Sequence, residues 1–336
     1  LDRYRAQPRA LEFRAGPSPG LRATRRWQRR LRPELVKLLG GFPARRCPLA
    51  ARVVARRRFP EYVRETVLFQ SRPDLTVFAY FLVPRGFVPP GPCVICVSGH
   101  GRGASSIVGY DEKGTMRPFG RWGEYQADFA LQCVARGYAA LVIEQLGFGR
   151  RRDPASRKIG TGRDSCQPAA GAAFHFGETM TAWRVWDVMR GIDYLEGRRE
   201  VDPRRIGVMG ISGGGLTSLF SAALEPRLKA AVVSGYLCLF RDSILSLSHC
   251  LDNYVPGLGR VAELPDVAGL AAPRAVFFES GTRDPIFPLA GVREAYRRVR
   301  RIYGACGAGR RTGLEVFRGD HRFHGRGAFS FLKREL

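Results

Sequence analysis

The segment that most constrains the fold is 205–224, which reads RIGVMGISGGGLTSLFSAAL. Its first residues form a short apolar run, and apolar residues recur at helical spacing from Gly213 onward. The segment therefore predicts a strand, a tight turn and a helix. The turn holds a G-x-S-x-G pattern, Gly210 to Gly214, whose glycines allow the crowded backbone that exposes a serine at a strand end. Ser212 is thus a candidate nucleophile.

The composition is typical of a large globular domain. The chain has 336 residues, of which 45% are hydrophobic and 11% aromatic, enough for one large α/β domain with insertions or two small domains. No apolar run approaches the roughly 18 residues that a membrane span needs. No charged-then-apolar leader opens the sequence, so we expect a cytoplasmic protein, although a leader removed beforehand would leave no trace.

The charge is strongly positive and is concentrated near the start of the chain. The net charge is +25, and residues 1–60 hold 17 basic and 3 acidic side chains. Nearly all the cations are arginine, a bias that genome composition or life at high temperature explains as readily as a polyanionic partner. No helix-turn-helix, zinc-finger or RNA-recognition pattern is present, so nucleic acid is not an expected partner.

The eight cysteines are scattered through a chain that is too large to need disulfides, so free thiols are expected. Cys93 and Cys96 have C-x-x-C spacing but lie inside an apolar, strand-like run. No second cysteine pair or histidine run at ligand spacing accompanies them. We interpret them as small buried side chains and predict no metal site.

The chain divides into an N-terminal extension, 1–55, and a main domain, 56–336. Residues 1–25 are rich in Arg, Pro and Gly and predict an extended arm on the surface. Residues 27–39 place apolar side chains three or four apart, which predicts an amphipathic helix that ends at Gly40-Gly41. This helix is expected to pack on the main domain; contact with a membrane or a partner is the alternative.

Within the main domain, an antiparallel hairpin is followed by alternating strands and helices. Strand patterns at 62–69 and 75–83 are joined through a polar turn. Later strands are predicted at 93–97, 139–143, 206–209, 230–234, 275–279 and 314–317, with helices near 125–136, 179–195, 213–224, 291–303 and 327–333. Short apolar strands separated by helices predict an α/β fold with a mostly parallel sheet and helices on both faces.

Two polar stretches, 150–177 and 237–270, interrupt this alternation at the carboxyl ends of predicted strands. That edge of an open α/β sheet carries the ligand site, so these stretches are expected to cover a pocket. The candidate substrate-binding residues are His175, Tyr236, His249, Tyr254 and Phe287.

A serine nucleophile needs a base, and the base needs a carboxylate that fixes its tautomer. In such a sheet the chain order is serine, acid, histidine, with acid and histidine just past later strands. Asp284 follows the strand at 275–279, and His321 follows the strand at 314–317. The predicted triad is therefore Ser212, His321 and Asp284.

Each partner of the serine has rivals. His324 lies three residues beyond His321 and could replace it, although it is expected to support the loop or line the pocket. Asp242 and Asp320 are alternatives to Asp284. Asp320 is disfavoured, because it is adjacent in sequence to His321 and such an acid rarely reaches the far nitrogen of the histidine ring.

Acyl transfer also needs N–H donors for the oxyanion. The strand at 93–97 is followed by Ser98-Gly99-His100-Gly101-Arg102-Gly103, an H-G-x-G arrangement. The predicted donors are the amides of Gly213 and of Arg102, with Gly101 as the alternative to Arg102. His100 is expected to brace this loop by side-chain hydrogen bonds.

From about Arg56 to its C-terminus, the chain resembles the α/β-hydrolase superfamily and, within it, the dienelactone-hydrolase-like and acetyl-xylan-esterase-like branch. The resemblance rests on several motifs in one order: GHGRG at 99–103, GFGRR at 147–151, GISGGG at 210–215, GTRDPIFP at 281–288 and GDHRFHG at 319–325. It implies a Ser-His-Asp esterase with no metal or organic cofactor. Dienelactone hydrolases themselves use a cysteine nucleophile, so their chemistry is not expected here.

We therefore expect a serine hydrolase that cleaves small carboxylic esters and that could form a homo-oligomer. The alternatives are a serine peptidase of the prolyl-oligopeptidase type and a catalytically silent hydrolase-like binding protein. The first usually needs an added propeller domain, and the second does not explain the complete serine, acid and histidine set.

Overall fold

A computed structural model of the chain describes residues 7–14, 20–159 and 164–336, and these form a nine-stranded sheet with helices on both faces. The strands are β1 (Arg52–Arg58), β2 (Tyr62–Arg72), β3 (Leu75–Pro84), β4 (Gly91–Val97), β5 (Ala139–Ile143), β6 (Val201–Ile211), β7 (Ala230–Ser234), β8 (Ala275–Gly281) and β9 (Thr312–Phe317). The helices are α1 (Leu21–Leu38), α2 (Phe129–Val134), α3 (Pro154–Ile159), α4 (Cys166–His175), α5 (Met180–Glu196), α6 (Gly213–Leu224), α7 (Leu258–Val261), α8 (Leu264–Gly269), α9 (Leu289–Ala305) and α10 (Arg326–Glu335).

The strand order is β1-β2-β3-β5-β4-β6-β7-β8-β9. The pairs β1-β2, β2-β3 and β3-β5 are antiparallel. The remaining strands, from β5 across β4, β6, β7 and β8 to β9, pair in parallel. The chain reverses its direction of progress at β4, because β5 lies on one side of it and β6 on the other. The loops after β4 and β6 therefore start side by side at the carboxyl edge and lead in opposite directions across the sheet, which makes this point the topological switch point of an open α/β sheet.

Side-chain alternation along the strands produces two cores, one on each face of the sheet. In β4, Cys93 and Ile95 pack in the core under α1, α5, α6, α8 and α9, whereas Val94 and Cys96 pack in the core under α2 and α10. Cys93 and Cys96 therefore lie on opposite faces and do not share one site. All eight cysteines, which all lie in the described part of the chain, are free thiols.

The N-terminal helix is longer than the apolar pattern predicts. Helix α1 begins at Leu21, so part of the expected extended arm is helical. Polar side chains cause the difference, since the first buried positions of the helix are Thr24 and Gln28, which an apolar periodicity does not register. Residues 1–6 and 15–19 of the predicted arm lie outside the described residues.

Residues 7–14 run against α7 and α8. The amides of Ala10 and Leu11 donate to the carbonyls of Arg260 and Val261 at 3.0 and 2.8 Å. The apolar side of α1, including Leu31 and Leu35, belongs to the main core, as expected for a helix that packs on the domain. The division of the chain at residue 56 stays a prediction.

Two other segments differ from the pattern. The helix expected near 125–136 covers only Phe129–Val134, because Ala127 and Asp128 have φ angles of 49° and 44°, which a helix does not tolerate. The two stretches expected to be irregular contain short helices: α3 and α4 in 150–177, and α7 and α8 in 237–270. Residues 160–163 of the first stretch lie outside the described residues.

Candidate active site

Ser212 occupies a strained turn between β6 and α6. Its φ and ψ are 56° and −123°, values that cost on the order of 1–3 kcal/mol for a residue with a Cβ. The neighbouring glycines make the turn sterically feasible. A Cβ at Gly210 would lie 2.3 Å from the carbonyl oxygen of Gly214, and one at Gly214 would lie 2.0 Å from that of Val97. The backbone thus holds the serine at the carboxyl edge of the sheet.

His321 and Asp284 form a close pair at the same edge. His321 Nδ1 lies 2.7 Å from Asp284 Oδ2, and the two side chains are 14% and 1% exposed. The other carboxylate oxygen of Asp284 accepts the amides of Ile286 and Phe287 at 2.9 and 3.1 Å. These bonds fix the carboxylate, which in turn selects the tautomer with a proton on Nδ1 of His321.

The far nitrogen of His321, Nε2, is buried and has no hydrogen-bond partner among the described residues. The ring lies over the end of β7, because a Cβ at Gly235 would be 2.9 Å from His321 Cε1. Strand β7 is the neighbour of β6, and the amide of Ser212 donates to the carbonyl of Ser234 at 3.0 Å. Ser212 and the His321 ring therefore lie near the ends of two adjacent strands.

The rival residues have other partners. Asp320 is 68% exposed and accepts Arg283 at 3.0 Å. His324 stacks on Phe317 at 4.6 Å, and its Nδ1 lies 3.3 Å from Glu315 Oε2.

Asp242, the third rival, forms an ion pair of 3.3 Å with the adjacent Arg241. Of the candidate acids, Asp284 is the one that the structure pairs with His321.

The glycine-rich loop after β4 contacts the serine. A Cβ at Gly99 would lie 3.2 Å from Ser212 Cβ, so the loop runs directly beside the turn that holds Ser212. The amide of Arg102 donates to Ser106 Oγ at 3.2 Å. This bond differs from the expectation that Arg102 supplies an oxyanion donor, because its N–H is already engaged. Gly213 opens α6, and the first amides of a helix have no intrahelical partner.

A buried carboxylate, Glu144, joins this loop to the segment after β5. Its two oxygens accept the amides of Ala104 and Arg150 at 2.6 and 3.2 Å. Gly103 has a φ of 70°, and a Cβ there would collide with the carboxylate at 1.8 Å. Burial raises the pKa of Glu144 despite these donors. Sequence reasoning missed this residue, because nothing local marks a glutamate that accepts the amide of Ala104, 40 residues away.

His100 is half-buried, and its Nε2 atom faces a buried polar cluster. Its Nε2 lies 3.3 Å from Asp252 Oδ2, and Arg184 donates to the same oxygen at 2.5 Å. Burial alone would lower the pKa of His100, but its contacts with Asp252 and Cys250 outweigh burial and raise the pKa to about 9. Contact with Cys166 is the main cause that lowers the pKa of Cys250 to about 6. His100 thus joins the loop to this cluster through a close polar contact, while the expected bracing by side-chain hydrogen bonds stays a prediction, because its Nε2 makes no hydrogen bond in the described part of the chain.

Three of the predicted pocket residues form an aromatic wall beside His321. The ring of Phe287 lies 5.8 Å from the ring of His321, 5.2 Å from that of Tyr236 and 6.2 Å from that of His249. Burial lowers the pKa of His249, which favours its neutral form.

The two other predicted pocket residues lie apart from this wall. Tyr254 is half-buried and donates to the carbonyl of Ile244 at 3.1 Å. His175 is exposed as the last residue of α4, and no described contact joins it to the wall.

Tyr125 is a site residue that sequence reasoning missed. Its ring stacks on His321 at 6.0 Å, and its hydroxyl donates to the carbonyl of His100. Burial raises the pKa of Tyr125 well above its ordinary value. The sequence contains no signal for this role, since the residue lies in a loop that packs against a histidine almost 200 positions away.

A nine-stranded, mostly parallel sheet with helices on both faces and a strained serine turn after β6 defines an α/β-hydrolase. The comparison with known families agrees with this fold. Residues 12–302 match the abhydrolase family, and the chain belongs to that family.

One curated relative and several solved structures are similar to the chain. The relative is "Putative hydrolase YtaP" of Bacillus subtilis (strain 168), 29% identical over 288 residues that cover 82% of this chain and 88% of that protein. A structure from Bacteroides fragilis, described as a "putative acetyl xylan esterase", has a TM-score of 0.78 at 18% identity over 95% of this chain and 80% of its own.

Two further structures match over nearly their whole length. A glucuronoyl esterase from Solibacter usitatus has a TM-score of 0.68 at 16% identity, covering 98% of this chain and 96% of that one. Acetyl xylan esterase 1 from Thermoanaerobacterium has a TM-score of 0.58 at 17% identity, covering 99% and 98%. At these identities the likeness establishes the fold.

Within the described residues, no helix has the length and apolar character required to cross a membrane.

Proposed function

We propose that this abhydrolase is a serine esterase that cleaves carboxylic esters through an acyl-enzyme. One observation carries the proposal: His321 is held by Asp284 at 2.7 Å, while its buried Nε2 lacks a hydrogen-bond partner in the described part of the chain. That nitrogen is the atom that would accept the hydroxyl proton of Ser212.

In the proposed reaction, Ser212 Oγ attacks the ester carbonyl while His321 Nε2 takes its proton. His321 then gives the proton to the leaving alcohol, and a water molecule, activated in the same way, hydrolyses the acyl-serine. Asp284 keeps the imidazole oriented and stabilises its protonated form. The two amides that Asp284 accepts hold the carboxylate in place throughout.

The oxyanion would be stabilised by the amides of Gly213 and Gly101. Gly213 begins α6, so its N–H also lies at the positive end of a helix dipole. Gly101 is preferred to Arg102, because the amide of Arg102 is bonded to Ser106. Glu144 and Tyr125 would keep the loop in position through their bonds to Ala104 and to the carbonyl of His100.

The names of the structural neighbours support an ester substrate, since they are acetyl xylan and glucuronoyl esterases. Within the aromatic wall, Tyr236 and Phe287 are each 1% exposed and would support the base from behind, so that half-buried His249 is the member that could face a substrate. The division into a catalytic domain from residue 56 and an N-terminal extension belongs to this proposal as well.

The test is hydrolysis of p-nitrophenyl acetate by the wild type and by Ser212→Ala. We expect turnover by the wild type and a loss of at least about 10⁴-fold in kcat/KM in the variant, because the nucleophile is removed while the fold is kept. Circular dichroism checks that the variant is folded. A serine-directed organophosphonate should add one adduct, located on Ser212 by peptide mass spectrometry.

Three outcomes would contradict the proposal. Activity that survives Ser212→Ala would exclude this nucleophile. Complete inactivity of the folded wild type toward several short-chain esters would favour a silent binding protein. Faster cleavage of a peptide p-nitroanilide than of any ester would favour the peptidase alternative.

A further inference from the structure

Beside the proposed active site, four metal-ligating side chains from three separate segments converge. His100 lies in the loop after β4, Cys166 opens α4, and Cys250 and Asp252 flank the start of a short helical turn at 251–253. One donor atom from each lies within 4.8 Å of every other. We propose that these four residues bind a zinc ion. The ion would connect the glycine-rich loop after β4 to the two polar stretches expected to cover the pocket, 150–177 and 237–270.

The donor types select the metal. Two thiols and an imidazole are ligands for zinc and related soft divalent ions, whereas magnesium and calcium take oxygen ligands. Cys166 and Asp252 are buried, and His100 and Cys250 are half-buried. Four protein ligands complete a tetrahedron, so the site is of the closed, structural kind, with no position for a reacting water.

The observed spacing fits a tetrahedral site. His100 Nε2 and Asp252 Oδ2 are 3.3 Å apart. Two ligands at about 2.0 Å from a tetrahedral zinc are separated by about 3.3 Å. His100 Nε2 is buried and makes no hydrogen bond of good geometry in the described part of the chain, although a carboxylate is close. A nitrogen in that position is oriented toward a centre that it shares with the other donors.

The positive charge of the neighbouring Arg184 side chain balances the charge that the site would carry with zinc bound. Zinc with two thiolates and one carboxylate carries a net charge of −1. Arg184, whose side chain is fully buried, donates to Asp252 Oδ2 at 2.5 Å and to Cys166 Sγ at 3.0 Å. One guanidinium therefore cancels the charge and orients two ligands, as outer partners of metal sites commonly do.

Two other groups of potential ligands do not form such a set. Glu279, Glu315 and His324 also lie close together, but both oxygens of Glu279 already accept backbone amides, those of His324 and Gly325, at 2.9 Å. Cys96 lies 3.9 Å from Cys133 within an apolar core, where no histidine or carboxylate accompanies the thiols in the described residues.

The position of the cluster gives the metal a role beyond the proposed esterase reaction. The Nδ1–Cε1 edge of the His100 ring lies beside the turn that holds Ser212, since a Cβ at Gly213 would lie 3.1 Å from each of these two atoms. The ion would thus fix the loop that carries Gly101 through its neighbour His100. His100 and the two cysteines are positioning residues, and no reaction step passes through the metal.

The experiment measures metal content in the full-length chain. Protein purified without chelator and without a histidine tag is expected to contain about one zinc per chain by plasma mass spectrometry. Cys250→Ser and Cys166→Ser should each lose most of it. Cys306→Ser is the matched control, because this half-buried thiol caps the C-terminal end of α9 and does not belong to the cluster, and it should keep the metal.

A second readout does not depend on how well the variants fold. Wild type stripped of metal under reducing conditions is titrated with Co²⁺, and thiolate-to-cobalt charge transfer together with strong tetrahedral d–d bands is expected at one equivalent. Metal removal should also lower the thermal midpoint of the wild type and leave that of Cys250→Ser unchanged.

Three results would overturn the proposal: no stoichiometric zinc and an octahedral cobalt spectrum, equal metal content in Cys250→Ser and wild type, or a Cys166–Cys250 disulfide in protein purified under reducing conditions. Ser212→Ala separates this proposal from the esterase, because it should lose activity and keep the metal. An inactive wild type that binds one zinc would contradict only the proposed reaction.

Discussion

At the scale of single residues, the two histidines of segment 319–325 have different surroundings. His321 is held by a buried carboxylate and presents an unpartnered nitrogen, whereas His324 stacks on Phe317 near Glu315. The sequence predicts His321 as the base, with His324 as its rival. The pairing with Asp284 favours His321, because a general base needs a partner that fixes its tautomer.

We therefore expect His321→Ala to reduce kcat for p-nitrophenyl acetate by about 10⁴-fold or more. His324→Ala is the matched control and should reduce it by less than about tenfold, or about 1.4 kcal/mol, because it removes only a ring stack and a peripheral polar contact. Steady-state kinetics on both variants decides the question. Equal losses would show that the two histidines share the role.

At the scale of elements, the contact between α6 and β4 sets the position of the serine. Gly214 lies in the first turn of α6, and a side chain there would meet the carbonyl of Val97 at 2.0 Å and that of Ser98 at 2.8 Å. Backbone atoms cannot move aside as a flexible side chain can. The close approach of helix and strand thus depends on this glycine, and the placement of Ser212 depends on that approach.

Gly214→Ala should lower the free energy of unfolding by about 1–3 kcal/mol, as overpacking does, and should reduce esterase activity more than this loss of stability explains. Gly304→Ala is the control, since Gly304 lies in α9 with open space around it. It should stabilise the protein by about 0.5–1 kcal/mol through helix propensity. Urea unfolding and kinetics test both, and an active, fully stable Gly214→Ala would refute the packing argument.

At the scale of the whole molecule, buried carboxylates connect the N-terminal segment to the main domain. The two oxygens of Asp266 accept the amides of Phe13 and Glu263 at 2.9 and 2.8 Å, and Arg9 pairs with Glu263 at 2.8 Å. Burial raises the pKa of Asp266 to about 6 from an ordinary value of 3.8, and burial also raises the pKa of Glu263. In a chain of net charge +25, these two acids lie buried at a contact with a basic segment.

The raised pKa has a defined consequence for stability. Between about pH 4 and pH 6, the folded protein keeps the proton of Asp266 that the unfolded chain has released, so the contribution of this group to stability decreases as the pH rises. The stability of the wild type relative to Asp266→Asn should therefore fall across this window, by up to about 3 kcal/mol. Urea unfolding at several pH values measures it.

Glu263→Gln should show a change of the same sign, because burial raises that pKa too. Parallel stability curves for Asp266→Asn and wild type from pH 4 to 7 would contradict this prediction, because they would show that Asp266 has the same pKa in the folded and the unfolded chain.

The sequence by itself determined the local features of this protein. The strand, turn and helix around Ser212 and the alternation that gives a mostly parallel sheet follow from periodicity and turn chemistry, which neighbouring residues decide. The same dependence on local patterns explains two helix boundaries that the sequence predicts incorrectly. The start of α1 was missed because its buried positions, Thr24 and Gln28, are polar. The helix before β5 was overextended because Ala127 and Asp128 have positive φ angles.

Only the tertiary structure decided which distant side chains share a site. The pairing of Glu144 with Ala104, the stacking of Tyr125 on His321 and the gathering of His100, Cys166, Cys250 and Asp252 join parts of the chain that no pattern connects. Such contacts depend on the strand order, which brings the loops after β4 and β6 together at one edge, and on burial, which makes unpaired polar groups costly. Sequence spacing carries neither kind of information.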